Sequence, residues 1–451
     1  MKVLRRFLVI FGSLVVLLVI LASLAGYPPG YLIAAPGVGT GIGAKLLCSA
    51  RYVSGFDRDQ AFDDLVQYSP ILTNLSISYD ENRKTVTTSL FGFSETTASY
   101  LPGLGCAIDY AGFDARAAGM TPPQTAAGAD WPAGSRVNAP RQDIQQLLES
   151  EIAEDNAAGL NTRALLIARH GSIVAESYAQ GVDSTTPLLG WSMSKSLSSI
   201  MLGNLAYRGL LDLTATPGFP EWAADGRAAI SIRNLLNMTD GLDFSERYDP
   251  GDDSTAMLFT VPSASAYVLK KPLAHPPGTW FNYSSGTASL LSLIYFNSTG
   301  GTLSASYRDF MDNIYRPMGF QNAVFEVDAS GVFMGSSYFY ASARDWARIG
   351  QLMLDDGVIN DQRLVSGSWV REATTPNSSE NEKAYGFQWW LNRGDARLRW
   401  PDLPEQAFAA QGNRQQWVMV IPSQDTVIVR LGWTAGYYPV NRQFARILDA
   451  L

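Results

Sequence analysis

Gly190-Trp191-Ser192-Met193-Ser194-Lys195-Ser196-Leu197 places a serine three residues before a lysine, at the mouth of an apolar run. That run (Leu197, Ile200, Met201, Leu205, Ala206) has helical spacing, so Ser192 falls in the first turn with Lys195 one turn on, on the same face. A serine hydroxyl is a weak nucleophile until a base takes its proton, and a lysine kept neutral by burial can be that base. The start of a helix also directs N–H groups toward a developing oxyanion. The plain alternative is a surface helix start, with Ser192 as its cap and Lys195 in solvent. The choice between them depends on whether the rest of the chain supplies the missing roles.

At 451 residues the chain is long enough for two or three domains, and its 46% hydrophobic content can fill a sizeable core. A net charge of −8, with no basic cluster, argues against a nucleic-acid partner. Phe7 to Ala25 is almost unbroken apolar sequence behind Lys2, Arg5 and Arg6, and no charge follows until Lys45. About 20 such residues span a bilayer, and the preceding cations hold the N-terminus in the cytoplasm. Residues 1–27 are therefore expected to be a transmembrane anchor, with a cleaved signal peptide ending near Ser23-Leu24-Ala25 as the rival. Signal cores run to only about 7–15 residues, which favours the anchor. Either way the body is exported, in the expected case to the periplasmic side of a bacterial inner membrane. Export makes a Cys48–Cys106 disulfide the expected fate of the only two cysteines. With these cysteines and two distant histidines, His170 and His275, zinc-ligand spacing is absent, and neither a metal nor a cofactor is expected.

Residues 28–113 read as a small extracytoplasmic module. It begins with an expected loop through Pro28-Pro29-Gly30 and Pro36-Gly37-Val38-Gly39-Thr40-Gly41, and it has β character at Thr85 to Phe91. Residues 114–140 turn to Ala, Gly and Pro, the composition of a linker. The main domain, 141–451, opens with a helix (Ile144, Leu147, Leu148, Ile152) and a hairpin, Ala164–Ala168 and Ile173–Tyr178, with His170 at its turn. A second hairpin, Gln416–Ile421 and Thr426–Leu431, lies near the end, and a helix follows it. Helical runs fill the middle, including Ser342 to Leu354 with Trp346, Ile349, Leu352 and Met353 on its buried side. Antiparallel strands at both ends around a helical block make the fold class α+β.

Three fragments in this order, Trp191-Ser192-Met193-Ser194-Lys195, Pro277-Gly278 before Tyr283-Ser284-Ser285-Gly286, and Ala410-Gln411-Gly412-Asn413-Arg414, resemble the class C β-lactamase and penicillin-binding-protein family of serine hydrolases. The likeness is strongest to its esterase and nylon-oligomer (6-aminohexanoate-dimer) hydrolase branch. It implies a β-lactamase/transpeptidase-like fold in which an antiparallel sheet is flanked by helices. It also implies a covalent acyl-enzyme on Ser192, with Lys195 and Tyr283 moving the proton. The oxyanion would be held by the N–H groups of Ser192 and Asn413, and substrate would be held by Tyr248, Ser285 and Gly412. A phenol beside an ammonium should have a lowered pKa, which would let the Lys195–Tyr283 pair exchange a proton near neutrality.

Two departures narrow the substrate. Ser285 stands where the family has the Asn of Tyr-x-Asn, and no lysine stands near Gly412 where Lys-Thr-Gly is usual. Both weaken a β-lactamase or cell-wall peptidase and leave a small ester or amide as the expected partner. The same losses motivate the alternative of an inactive envelope binding protein on this fold. A Ser-His-Asp triad fails because the only histidine after Ser192 is His275, in a Pro-Pro-Gly turn. Trp389-Trp390 reads as core rather than as an acyl pocket.

Overall fold

The protein is described by a computed structural model covering residues 23, 29–111, 120 and 128–451. The Phe7–Ala25 run, Ser23 apart, and much of the 114–140 stretch lie outside the described residues.

Six antiparallel strands form the central sheet, in the order Trp390–Leu391, Phe408–Gly412, Gln416–Ile421, Thr426–Gly432, Thr162–Arg169, Ser172–Tyr178. The two hairpins thus meet in the middle, Val429 opposite Leu166. Alternate residues serve two cores, as a strand's period of two requires. Leu165, Ile167, Trp417 and Met419 pack under the Gln142–Ala157 and Val440–Ala450 helices. Leu166, Ala168, Val418 and Val420 face the other way, into the core shared with the Ala343–Leu354 helix. That helix lies tight on the sheet because Gly350 leaves room, where a Cβ would come 2.5 Å from Val427. Helices between the hairpins form the second half of the domain, and the cleft lies at the junction.

The N-terminal module is a four-stranded antiparallel meander, β1 (Leu75–Asp80), β2 (Thr85–Leu90), β3 (Ser94–Leu101) and β4 (Gly105–Ile108). One finding departs from the sequence reading. The glycine-rich stretch is no loop; it lies within a 24-residue helix, Pro29–Tyr52, with Pro36 inside it. Its glycines provide close approach rather than flexibility. A Cβ on Gly41 would meet the Phe259 carbonyl at 2.3 Å, and one on Gly43 would meet Leu75 at 2.7 Å. Gly30–Tyr52 is long and apolar enough to cross a membrane, but 67% of its most apolar window is buried inside the protein, as in a core helix. A disulfide, Cys48–Cys106, ties this helix to β4.

The module also locks onto the main domain. Lys45 forms a fully buried ion pair with Glu326, whose other carboxylate oxygen accepts from Ser49 (2.7 Å) and from the Cys106 N–H (2.7 Å). Asp64 pairs with Arg163, and the Asp64 carbonyl accepts from Trp433 Nε1 at 2.9 Å.

Candidate active site

The turn before Ser192 is shaped by close contacts. A Cβ on Gly190 would lie 2.0 Å from the Trp346 ring, and one on Gly412 would lie 2.0 Å from the Gly190 carbonyl. Glycine at both positions brings the strand Phe408–Gly412 against the nucleophile turn. Trp191 takes the left-handed conformation (φ 48°), with its ring packed among Tyr68, Tyr338 and Trp433. Ser192 is then the N-cap of the Met193–Tyr207 helix, yet its hydroxyl makes no capping bond. It faces Lys195 instead.

Lys195 is 1% exposed, which disposes of the solvent-lysine alternative. Its Nζ donates to Ser192 Oγ (2.8 Å), Ser285 Oγ (3.0 Å) and the Ser336 carbonyl (2.9 Å), one acceptor for each ammonium proton. Burial lowers its pKa to about 8, against the opposing charge of Glu246. Once neutral, the amine needs two protons for Ser285 and Ser336, and its lone pair is left for the Ser192 proton. The Tyr283 ring lies 4.9 Å from Nζ.

Glu246, a residue the sequence reading passed over in a polar loop, completes the arrangement. Its carboxylate accepts from the Ser285 N–H (2.7 Å), the Ser285 hydroxyl and the Tyr248 hydroxyl (2.7 Å). Lys195, Ser285 and Glu246 thus form a continuous hydrogen-bonded chain under the cleft. The expected lowering of the Tyr283 pKa is not found. Burial first, and Glu246 second, raise it well above the ordinary phenol value, and hydrogen bonding with Ser192 opposes them. Tyr283 therefore keeps its proton, and of the two groups only Lys195 is brought toward its neutral form.

A cleft of about 400 Å³ opens over these groups, lined by Ser192, Tyr248, Tyr283, Trp390, Gly412 and Asn413 among others. Ser192, Tyr283, Tyr248, Gly412 and Asn413 come together in it as the sequence reading expected. Ser285 does not: it is fully buried, its hydroxyl engaged by Lys195 and Glu246 rather than presented to substrate. The tryptophan pair divides. Trp389 is core, whereas Trp390 lines the cleft and stacks on Tyr283, centroids 5.1 Å apart. Arg414 is the one cation among the cleft-lining residues, and its guanidinium sits 3.9 Å over the Tyr68 ring. His275 stacks on Trp280 and His170 bonds Asp425 at its hairpin turn, both apart from the cleft-lining residues.

Comparisons with known proteins bear on the family and the fold. A family model described as beta-lactamase matches residues 142–449. The 6-aminohexanoate-dimer hydrolase of Paenarthrobacter ureafaciens is 29% identical over 312 residues, 64% of this chain and 74% of that one. Among solved structures, a family VIII carboxylesterase aligns with TM-score 0.52 at 15% identity, over 70% of this chain and 99% of its own. A class C beta-lactamase aligns with TM-score 0.53 at 16% identity, over 70% and 99%. At these identities the structures speak for the fold, and the family match carries the assignment. The chain belongs to the beta-lactamase family and is one of its serine hydrolases.

Proposed function

We propose that the protein hydrolyses small esters or amides through an acyl-enzyme on Ser192. The observation that carries this reading is the 2.8 Å contact between a buried Lys195 amine and the Ser192 hydroxyl at the floor of the cleft. Neutral Lys195 takes the Ser192 proton as Oγ bonds to the substrate carbonyl carbon. The oxyanion is received by the N–H groups of Ser192 and Asn413. Tyr283 gives its phenol proton to the departing alcohol or amine and regains one from Lys195. Water then cleaves the acyl ester by the reverse relay. Tyr248 and Trp390 line the substrate's path, and the similarity to a 6-aminohexanoate-dimer hydrolase and a carboxylesterase supports amide and ester bonds as the class.

The same reading places the enzyme on a single-pass anchor at residues 7–25 with its catalytic domain outside the cytoplasm. The cations before that run and the Cys48–Cys106 disulfide, a bond favoured by oxidising compartments, support it.

Intact mass after treatment with a fluorophosphonate tests the chemistry. One adduct on the wild type, absent from Ser192→Ala and Lys195→Ala, is the expected result. A folded wild type that takes no adduct would end the acyl-enzyme reading in favour of a binding protein.

A further inference from the structure

Ten large hydrophobic side chains are exposed among the described residues, and five of them (Leu32, Ile33, Ile71, Phe91 and Phe93) belong to one end of the N-terminal module. The register between the N-terminal helix and the sheet shows why they share an end. Thr40 Oγ1 bonds Ser94 Oγ at 3.0 Å and Thr96 Oγ1 at 2.9 Å, while a Cβ on Gly39 would touch Leu72 and Leu90. Further along the helix, Cys48 joins Cys106, which pairs with Tyr100, and Tyr52 packs on the Tyr100 ring. Moving back toward the helix start therefore means moving toward the β2–β3 turn, Phe91-Gly92-Phe93, and toward the Pro70–Asn74 turn with Ile71. Ile33 lies about 10 Å before Thr40 at 1.5 Å per residue.

Single exposed apolar residues are ordinary, but these are not scattered. Ile33 is 81% exposed and Phe93 87%. The three segments that converge here carry no charge at all: none from Phe7 to Ala44, none from Leu65 to Tyr79, none from Thr85 to Ser94. Exposed apolar side chains gathered on segments without charge are matched to an apolar partner.

The chain itself indicates which partner. It enters the module at this end, and Gly26, Tyr27 and Pro28 alone separate the helix from the Phe7–Ala25 run, long enough to span a bilayer. Phenylalanine and leucine on a structure lying at the bilayer boundary bury their side chains among headgroups and upper acyl chains. We propose that Leu32, Ile33, Ile71, Phe91 and Phe93 form a membrane-seating surface that rests in the lipid headgroup region beside the anchor. This rests on the anchor reading given above. Seating would also fix the catalytic loop relative to the bilayer, because a Cβ on Gly251, three residues beyond Tyr248, would lie 3.3 Å from the Gly30 carbonyl and from Ala34.

Both native cysteines are bonded to each other, so an introduced cysteine is labelled alone. The experiment uses the full chain as Phe93→Cys and, for comparison, Tyr437→Cys, which is 76% exposed and lies beyond the cleft-lining Gly436. Each carries a nitroxide and is reconstituted in phosphatidylcholine–phosphatidylglycerol vesicles. Power saturation should show the residue-93 label colliding several-fold more with oxygen than with a water-soluble nickel chelate, and the residue-437 label doing the reverse. A residue-93 label open to nickel on a chain that floats with the vesicles overturns the seating surface and leaves the anchor standing. A chain that does not float refutes the anchor and the surface together. Spin–spin broadening at residue 93 that disappears on dilution with unlabelled chain assigns the face to a second copy and overturns the proposal.

Discussion

The Nζ of Lys195 lies 2.8 Å from the Oγ of Ser192, in a site where burial holds the lysine pKa at about 8. In the proposed mechanism the active form is the one with Lys195 deprotonated. Acylation, read as kcat/KM on an activated ester, should rise about tenfold per pH unit below pH 8 and level off above it. Stability follows the same direction. The folded chain binds fewer protons at Lys195 than the unfolded chain between about 8 and the ordinary lysine value of 10.5, so this group makes folding more favourable as pH rises through that window. A flat profile from pH 6 to 9 would remove Lys195 as the base.

Glu246 opposes the lowering of the Lys195 pKa, and its removal has a signed effect. Glu246→Gln keeps the shape of the acceptor but deletes the charge. The rising limb of the kcat/KM profile should therefore move to lower pH, even though the Ser285 and Tyr248 hydrogen bonds weaken. A group that only braced the loop would lower the rate without moving the limb.

Tyr283 is kept protonated by burial and by Glu246, as the proposed role of proton source for the leaving group requires. Tyr283→Phe should cut kcat by roughly 10²- to 10⁴-fold. Its packing on Trp390 and Tyr385 survives the change, so thermal melting should be nearly that of the wild type. The loss should be least for substrates with good leaving groups, such as nitrophenyl esters, which need no proton.

Lys45 and Glu326 are both buried, and burial opposes the charge on each. Lys45→Met leaves the carboxylate unpaired in the core, a change that costs about 3–5 kcal/mol. Differential scanning calorimetry should show the melting temperature falling, and Lys45→Met with Glu326→Gln should recover part of the loss. An unchanged melting temperature would show that the module bears no weight in the fold.

The hairpins and the nucleophile helix were legible because their patterns are local. Leu165/Ile167 against Leu166/Ala168 is a period of two, and Leu197, Ile200, Met201 is a helical face. The cleft residues at Tyr283 and Asn413 were legible from the order of family motifs. Glu246 was not, because it meets Ser285 across 39 residues of chain and nothing in its own loop marks it. The Pro36–Gly41 stretch misled for a different reason. Glycine reads as a breaker in isolation, yet here it is the residue that lets a helix touch a sheet and Phe259. Trp390 was assigned to the core beside Trp389, but it begins the edge strand of the sheet, where its ring lines the cleft against Tyr283.

The lock between Glu326 and the N-terminal helix also sets an order of assembly. Ser49 waits for a partner synthesised 277 residues later, whereas Cys48 finds Cys106 only 58 residues on. The module can therefore be cross-linked while the catalytic half is still arriving. The stapled helix then holds Lys45 and Ser49 ready, and the last-made half of the enzyme closes against a surface already in place.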